Sequence, residues 1–388
     1  MRTATRLQPF GTTIFTEMTQ LAIKHNAVNL SQGFPDFDGP DFVKQAAIDA
    51  INSGDNQYER LFGSVALNNA LANRWRELTG QPANPVKNIQ VTSGCTEAIA
   101  SAALGLFKPV DEVVLFEPYY DSYRPALAMA GAIPRFVTLH WPDFSFDLDE
   151  LKNQINPGKT KAIFINSPHN PTGKVYSREE LTQIANLCIE NNLLAITDEV
   201  YEHLTFDNTE YVRMATIPGM AERTLTLSSL GKTFSLTGWK IGWAIGPENL
   251  ITALRAAHQF ITFATSTPLQ QGAAVALNNI NEYLPQFTAE YTERRNFLCD
   301  ALVEIGFKIP NKPAGTYFVL ADHTPFGFKN DVDFCKYLTT VIGVAAIPPT
   351  AFYENKKHGY NLVRFAFCKK MQTLQNAITR LRQLKPKR

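Results

Sequence analysis

The chain has 388 residues and a formal net charge of +1, from 37 Lys and Arg against 36 Asp and Glu. That length exceeds what one hydrophobic core usually fills and predicts two compact units. Near neutrality leaves no electrostatic footprint for nucleic acid or an anionic membrane, so a small molecule is the expected partner.

Five scattered cysteines, Cys95, Cys188, Cys299, Cys335 and Cys368, show no CxxC spacing and fit a reducing compartment. The amino-terminal MRTATRLQPFGTT has no apolar run behind its basic residues, and no stretch reaches the roughly 18 apolar residues of a membrane span. The expected location is the cytoplasm.

Between about residues 89 and 246, short β-branched runs alternate with segments of helical period, the pattern of a parallel sheet covered by helices. The predicted strands are NIQVT (88–92), EVVLF (112–116), KAIFIN (161–166), LLAIT (193–197), TLTLS (224–228) and IGWAI (241–245). Several are apolar on both faces, as buried parallel strands are. Between the third and fourth, SREELTQIANLCIENN carries a capping box in Ser177 and Glu180 and an apolar stripe of Leu181, Ile184, Ala185 and Cys188. A helical crossover there makes its flanking strands parallel. Beyond residue 280 come a long charged helix, YTERRNFLCDALVEIG, then GTYFVLAD, a helix near 331–341, GVAAIPP, NLVRFAF and a basic terminal helix, LQNAITRLRQLKPKR. This region reads as a smaller α+β unit, packed on the first without a Ser/Gly linker.

In open parallel sheets, ligands sit outside the carboxyl ends of the strands. After IQVT, Ser93 can cap a helix, Gly94 permits a tight turn, and Ile99, Ala102, Ala103 and Leu106 make a helical stripe. That helix start is either an anion site or a plain connection. After AIFIN, SPHNPTGKV is a rigid polar turn carrying Asn170. After LLAIT, DEVYEHL sets Asp198 at the strand end, as a helix cap or a site carboxylate, with Tyr201 three residues on. After TLTLS comes SLGKTFSLTGWK, with Ser229, Lys232, Ser235, Thr237 and Lys240. Taken singly, each has a structural reading, and lysines are mostly solvated surface cations. Together they put amides and hydroxyls for a phosphate, an amide side chain, a carboxylate, a phenol and two amines on one edge. That set suits an aldehyde-bearing aromatic phosphate. A lysine amine forms a Schiff base with the aldehyde, a carboxylate keeps the ring nitrogen protonated, and the amide and phenol bond the ring hydroxyl. The ligand with those groups is pyridoxal 5'-phosphate.

NSPHNPTGKV, ITDEVYEHL and SSLGKTFSLTGWKIGW, in this order and at these separations, resemble the fold-type I, class I and II aminotransferases. The resemblance runs from VNLSQGFPDFDGP to NLVRFAF. LSQGFPDF, EPYYDSY, GKTFSLTGWK and GVAAIP are most similar to the kynurenine and glutamine aminotransferases and the bacterial methionine aminotransferases, and FGTTIFTEM leans to the methionine group. It implies a three-layer α/β fold, with a mostly parallel central sheet in a large cofactor-binding domain (40–280). The smaller α+β domain would comprise 281–388, joined by part of an amino-terminal arm (1–39).

By the same resemblance, Lys232 holds the cofactor and acts as the general base, Asp198 pairs with the pyridine nitrogen, and Asn170 and Tyr201 bond the ring oxygen. Tyr120 stacks on the ring. The phosphate set is Gly94, Cys95, Thr96, Ser229 and Lys240, and Tyr58 reaches the phosphate of a neighbouring subunit, which implies a homodimer with shared sites. Arg364 grips the substrate α-carboxylate with its bidentate fork, completed by Asn170 and the backbone of Gly33. Cys95 and Thr96 stand where relatives often have Gly and an aromatic residue. Gly231 stands where many have Ser, and Lys240 where many have Arg, two changes that recur in the kynurenine-type subgroup.

Phe15 matches an aromatic pocket residue of that subgroup, and Phe34, Tyr58 and Tyr120 lie in adjoining motifs. Such a box suits flat aromatic side chains or a thioether, since sulfur against aromatic rings is favourable by about 0.3–1.5 kcal/mol. The expected reaction is reversible transamination from methionine or an aromatic amino acid, kynurenine included and glutamine possible, to a 2-oxo acid. β-Elimination from cysteine conjugates uses the same carbanion and stays open. A non-enzymatic cofactor-binding regulator is disfavoured, because the 28 residues before NLSQGFPDF hold no helix-turn-helix pattern. His169 and His258 have no metal-ligand spacing and read as structural, Cys188 as packing, and no metal is expected.

Overall fold

The computed structural model describes residues 3–387; Met1 and Arg2 of the expected arm and Arg388 of the terminal basic run lie outside them. The central sheet contains β1 (Ile89–Ser93), β2 (Glu112–Glu117), β3 (Ile133–Thr138), β4 (Thr160–Asn166), β5 (Leu194–Asp198), β6 (Thr224–Ser229) and β7 (Ile241–Ile245). Their order across the sheet is β1-β7-β6-β5-β4-β2-β3. All six predicted strands form. The seventh, β3, carries no apolar run: Pro134 interrupts it and its first four residues are exposed or half-buried. It lies at the sheet edge, where a missing backbone donor is tolerated.

The sheet is parallel from β6 through β3, and β7 is antiparallel to both its neighbours. The segment between β6 and β7 is too short for a helical crossover that would return the chain in the same direction. Its short helix and 3₁₀ turn bring Lys232 and Lys240 back over the sheet edge. The carboxyl ends of β1, β4, β5 and β6 therefore share one edge.

Helix α1 (Gly94–Leu106) follows β1 directly. Ser93 does not cap it with its side chain; its backbone N–H donates to Glu97 Oε2 at 2.8 Å instead. Gly94 takes φ 74°, a left-handed turn that glycine enters without the Cβ penalty. Helix α2 (Arg178–Glu190) starts with both bonds of the predicted capping box and buries Leu181, Ile184, Ala185, Leu187 and Cys188. Helix α3 (Leu230–Thr233) is a single turn carrying Lys232.

In the second region, α4 (Ile280–Ile305) begins well before the charged run, with Pro285 inside it, a residue that argues against a continuous helix in sequence. β8 (Phe318–Asp322) and β9 (Leu362–Ala366) pair antiparallel, and α5 (Met371–Leu381) packs its Leu374, Ala377, Ile378 and Leu381 on the same core. That core takes in Met18, Leu30 and Tyr201, and Val28–Asn29 pairs with Val344–Ala345. The amino-terminal arm is thus tied to the second region and to the sheet edge. No helix among the described residues is long and apolar enough to cross a membrane.

Candidate active site

At the shared edge lies a cavity of about 260 Å³. Asp198, the last residue of β5, is 3 % exposed and faces it. Its Oδ2 accepts from the Tyr123 hydroxyl at 2.7 Å, and its Oδ1 accepts from the Val200 N–H at 3.3 Å and the Cys95 thiol at 3.7 Å. Burial pushes this carboxyl up, while those donors and the Lys232 charge oppose the rise. The donors are all neutral, so a cationic ligand group is the partner that makes ionisation favourable here.

Asn166 ends β4. Its Nδ2 donates to the Asp198 carbonyl at 2.8 Å and its Oδ1 accepts from the Asn170 N–H at 2.7 Å, which holds the SPHNPTG turn over the sheet edge. Asn170 Oδ1 in turn accepts from Arg364 Nη1 at 3.1 Å, and Arg364 Nη2 donates to the Ser31 carbonyl at 3.0 Å. Arg364, on β9, is buried with its guanidinium carbon 4.1 Å from the Phe318 ring centre and 5.1 Å from that of Phe15. Its Nε has no partner among the described residues. Burial lowers its pKa to about 10, and Tyr201 and Asp121 oppose that. A withdrawn guanidinium with a spare donor fits a ligand carboxylate.

Lys232 projects from α3 with its Nζ donating to the Tyr317 hydroxyl oxygen at 2.9 Å and the Gly33 carbonyl at 3.3 Å. Burial holds its pKa below the usual lysine value, which makes the neutral, nucleophilic amine more accessible than on a solvated lysine. Lys240 sits at φ 54° with its Nζ over the start of α1: a Cβ added to Gly94 would lie 3.0 Å from it. β7 crosses beneath. A Cβ at Gly242 would come within 2.4 Å of the Gly94 carbonyl carbon and 2.6 Å of the Cys95 nitrogen. An ammonium and the open amides of a helix start thus converge on one space, with Thr96 and Ser229 on its wall. Gly231 is also required by room, because a Cβ there would stand 2.9 Å from Thr237 Cα. A serine at this position would need that backbone to shift.

These residues fit pyridoxal phosphate: an anion cradle, a buried carboxylate lacking a cation and a desolvated amine open into one cavity. Every residue predicted to hold cofactor or substrate lines it except Tyr58, and of the aromatic box Phe34 does not. Tyr58 is 87 % exposed, its ring edge-on to Phe263 at 5.5 Å, and contributes nothing to its own chain's cavity. Phe34 is also outside the lining, half-exposed with Lys369 Nζ 5.0 Å from its ring. His169 is structural: buried, bonded through Nδ1 to Thr172 Oγ1 at 2.8 Å, its pKa pushed down to about 3 by burial. His258 pairs with Glu97 at 3.1 Å. No His, Cys, Asp and Glu group suited to a metal occurs among the described residues.

Sequence reasoning missed Tyr123, Asn166, Tyr317 and Phe318. Tyr123 and Asn166 sit inside motifs already singled out. Tyr317 and Phe318 lie in GTYFVLAD, whose apolar company reads as core, and nothing in the sequence signals that Tyr317 returns to Lys232 from 85 positions away.

The chain matches the family Aminotransferase class I and II over residues 25–381. It is 47 % identical over 390 residues to "Probable N-succinyldiaminopimelate aminotransferase DapC" of Mycobacterium tuberculosis, with 98 % of each chain covered. A solved structure of N-succinyldiaminopimelate aminotransferase from that organism superimposes with a TM-score of 0.96, covering 99 % of this chain and 100 % of the other at 47 % identity. Identity is 41 % over 417 residues to a kynurenine–oxoglutarate transaminase of Dictyostelium discoideum, covering 97 % of this chain and 95 % of the relative. It is 38 % over 383 residues to the methionine aminotransferase of Escherichia coli, covering 98 % and 97 %. The chain belongs to the class I and II aminotransferases. It is a transaminase with the α/β, mostly parallel sheet of fold-type I enzymes, in a family that depends on pyridoxal phosphate.

Proposed function

We propose that the protein transfers the amino group of a large uncharged amino acid, methionine or an aromatic such as kynurenine, with glutamine also accepted, to a 2-oxo acid by a ping-pong reaction. The observation that carries the substrate class is the composition of the cavity wall. Arg364 is the one arginine that lines it among the described residues, and Phe15, Phe318 and Tyr120 line it as well. One guanidinium serves the α-carboxylate, and no second one waits for a carboxylate on the side chain. Aromatic rings favour a flat or sulfur-bearing group.

Bound pyridoxal 5'-phosphate supplies an electron sink for the carbanion left when the donor loses its Cα proton. Lys232 carries the cofactor and its Nζ moves that proton. Asp198 pairs with the ring nitrogen, Asn170 and Tyr201 bond the ring oxygen, and Tyr120 stacks on the ring. The Gly94, Cys95 and Thr96 amides, Ser229 and Lys240 hold the phosphate. Arg364, Asn170 and Gly33 grip the substrate α-carboxylate, and Phe15 packs on the side chain. In this reading Tyr58 acts across a homodimer, on the partner's phosphate. Residues 40–280 form the cofactor-binding domain, 281–388 with part of 1–39 form the small one, and the unpaired cysteines suit the cytoplasm.

The test is a panel of donors (L-methionine, L-kynurenine, L-phenylalanine, L-glutamine, N-succinyl-LL-diaminopimelate) against several 2-oxo acids. The largest kcat/KM is expected with a neutral donor. A largest value for the succinylated substrate, the one suggested by the mycobacterial relative's name, overturns the substrate class and leaves transamination intact.

A further inference from the structure

The Lys232 amine has two N–H bonds and one lone pair when neutral, and its surroundings assign them. Nζ lies 2.9 Å from the Tyr317 hydroxyl oxygen and 3.3 Å from the Gly33 carbonyl. The Tyr317 O–H is itself committed, donating to the same Gly33 carbonyl at 2.5 Å. Only the lone pairs of the Tyr317 oxygen are therefore left for the lysine, which must meet it with an N–H. Both Lys232 N–H bonds point at acceptors, and the amine lone pair is left for the cavity.

Resting on the aminotransferase reading above, we propose that Tyr317 is a positioning residue for the proton transfer: it orients the Lys232 amine so that its lone pair faces the donor's Cα–H. In that step the Lys232 nitrogen forms a new N–H bond, the Cα–H bond breaks, and its electron pair stays on the substrate carbon. No oxidant or reductant is needed. Tyr317 keeps its own proton throughout, on the Gly33 carbonyl.

The packing around Tyr317 makes it stiff enough for this. The residue is fully buried, its ring edge-on to Tyr201 at 5.1 Å between centroids and to Phe318 at 4.8 Å. Gly33 is fixed from the other side, since a Cβ there would be 2.7 Å from Phe318 Cζ and 3.6 Å from Tyr317 Cε2. The Ser31 carbonyl two residues earlier accepts from Arg364 Nη2 at 3.0 Å. Tyr317 thus couples the base to the segment beside the carboxylate-gripping arginine, so amine and substrate are registered by one stretch of chain. Misplacement of a reacting group by about 1 Å costs on the order of a hundredfold in rate.

The experiment uses Tyr317→Phe in the holoenzyme, with L-methionine and α-deuterated L-methionine as donors. The visible cofactor band of the resting enzyme and KM for methionine are expected to stay close to wild type. The single-turnover rate is expected to fall by about tenfold to a hundredfold, with a larger α-deuterium isotope effect. A second arm places the change in a Lys232→Ala background rescued by added methylamine, whose orientation Tyr317 does not set. There Tyr317→Phe is expected to cause no further loss. An unchanged rate and isotope effect in the first arm overturns the proposal, and so does an equal loss in the rescued background, which marks a merely structural role. A wild type with neither the visible band nor turnover on any donor defeats the aminotransferase reading itself, and this proposal with it.

Discussion

Lys232 and Lys240 stand eight positions apart on one connection, yet they face different parts of the cavity. Lys232 is enclosed by Tyr317, Tyr201 and the Gly33 carbonyl, and burial favours its neutral form. Lys240 sits above the amides that open α1, at the end of the helix that attracts an anion. Lys232→Ala is therefore expected to abolish both turnover and the visible cofactor band. Lys240→Ala should retain the band at saturating cofactor and raise the cofactor Kd by about tenfold, the loss of one charge-assisted contact. Equilibrium dialysis and absorbance separate the two. Arg364→Lys keeps the charge and loses the planar fork, so KM for every donor should rise by about tenfold or more while the band stays. A donor-specific rise would show that Arg364 reads the side chain instead.

At the scale of elements, the cofactor end depends on how closely β7 passes under α1. Gly242→Ala places a methyl against the Gly94 and Cys95 backbone and should shift the start of α1. The expected result is weaker phosphate and cofactor binding together with a lower thermal midpoint of the cofactor-free protein, because the obstructing atoms are backbone and overpacking costs about 1–3 kcal/mol. The turn after β5 has a second support. Arg213 bridges Glu199 and Glu202, the first two buried and Glu202 largely so, and Ser228 Oγ of β6 donates to Glu202 Oε1 at 3.0 Å. These contacts flank Tyr201 and hold the end of β5 to β6. Arg213→Leu leaves two unpaired buried carboxylates and should cost about 3–5 kcal/mol, read from the urea midpoint. Burial raises the Glu202 carboxyl, but Arg213, His203 and the Ser228 hydroxyl together outweigh it and hold the folded pKa at about 2, below its ordinary 4.5. A depressed carboxylate pKa stabilises above the unfolded value, so this contribution is complete above pH 4.5 and is lost as pH falls toward 2. Glu202→Gln should flatten that part of the stability profile.

For the whole molecule, Tyr58 at 87 % exposure, Phe260 at 86 % and Phe263 at 46 % leave large apolar side chains in water. Tyr58 and Phe263 are in contact with each other, as expected if this face meets a second copy in the proposed homodimer. Sedimentation is expected to give twice the chain's mass. Co-expressing a Tyr58→Ala chain with a Lys232→Ala chain should yield mixed dimers with one intact shared site, hence activity that neither homodimer matches. Absence of that recovery would place Tyr58 outside catalysis.

The strands, the capped crossover helix and most of the residues that line the cavity were legible in the sequence because each depends on local chemistry. A buried strand needs an apolar run, a helix start needs Ser177 and Glu180 in register, and Lys232, Asp198 and Asn170 stand at or just after the ends of such strands. The strand β3 was hidden by Pro134, and the early start of α4 by Pro285, because a single residue can mask an element that tertiary packing tolerates. Tyr317 at Lys232, Tyr123 behind Asp198 and the tight fit of Gly242 under Gly94 were decided only by the tertiary structure. Each rests on a distance between segments far apart in the chain, and such distances are set by packing that no local pattern encodes.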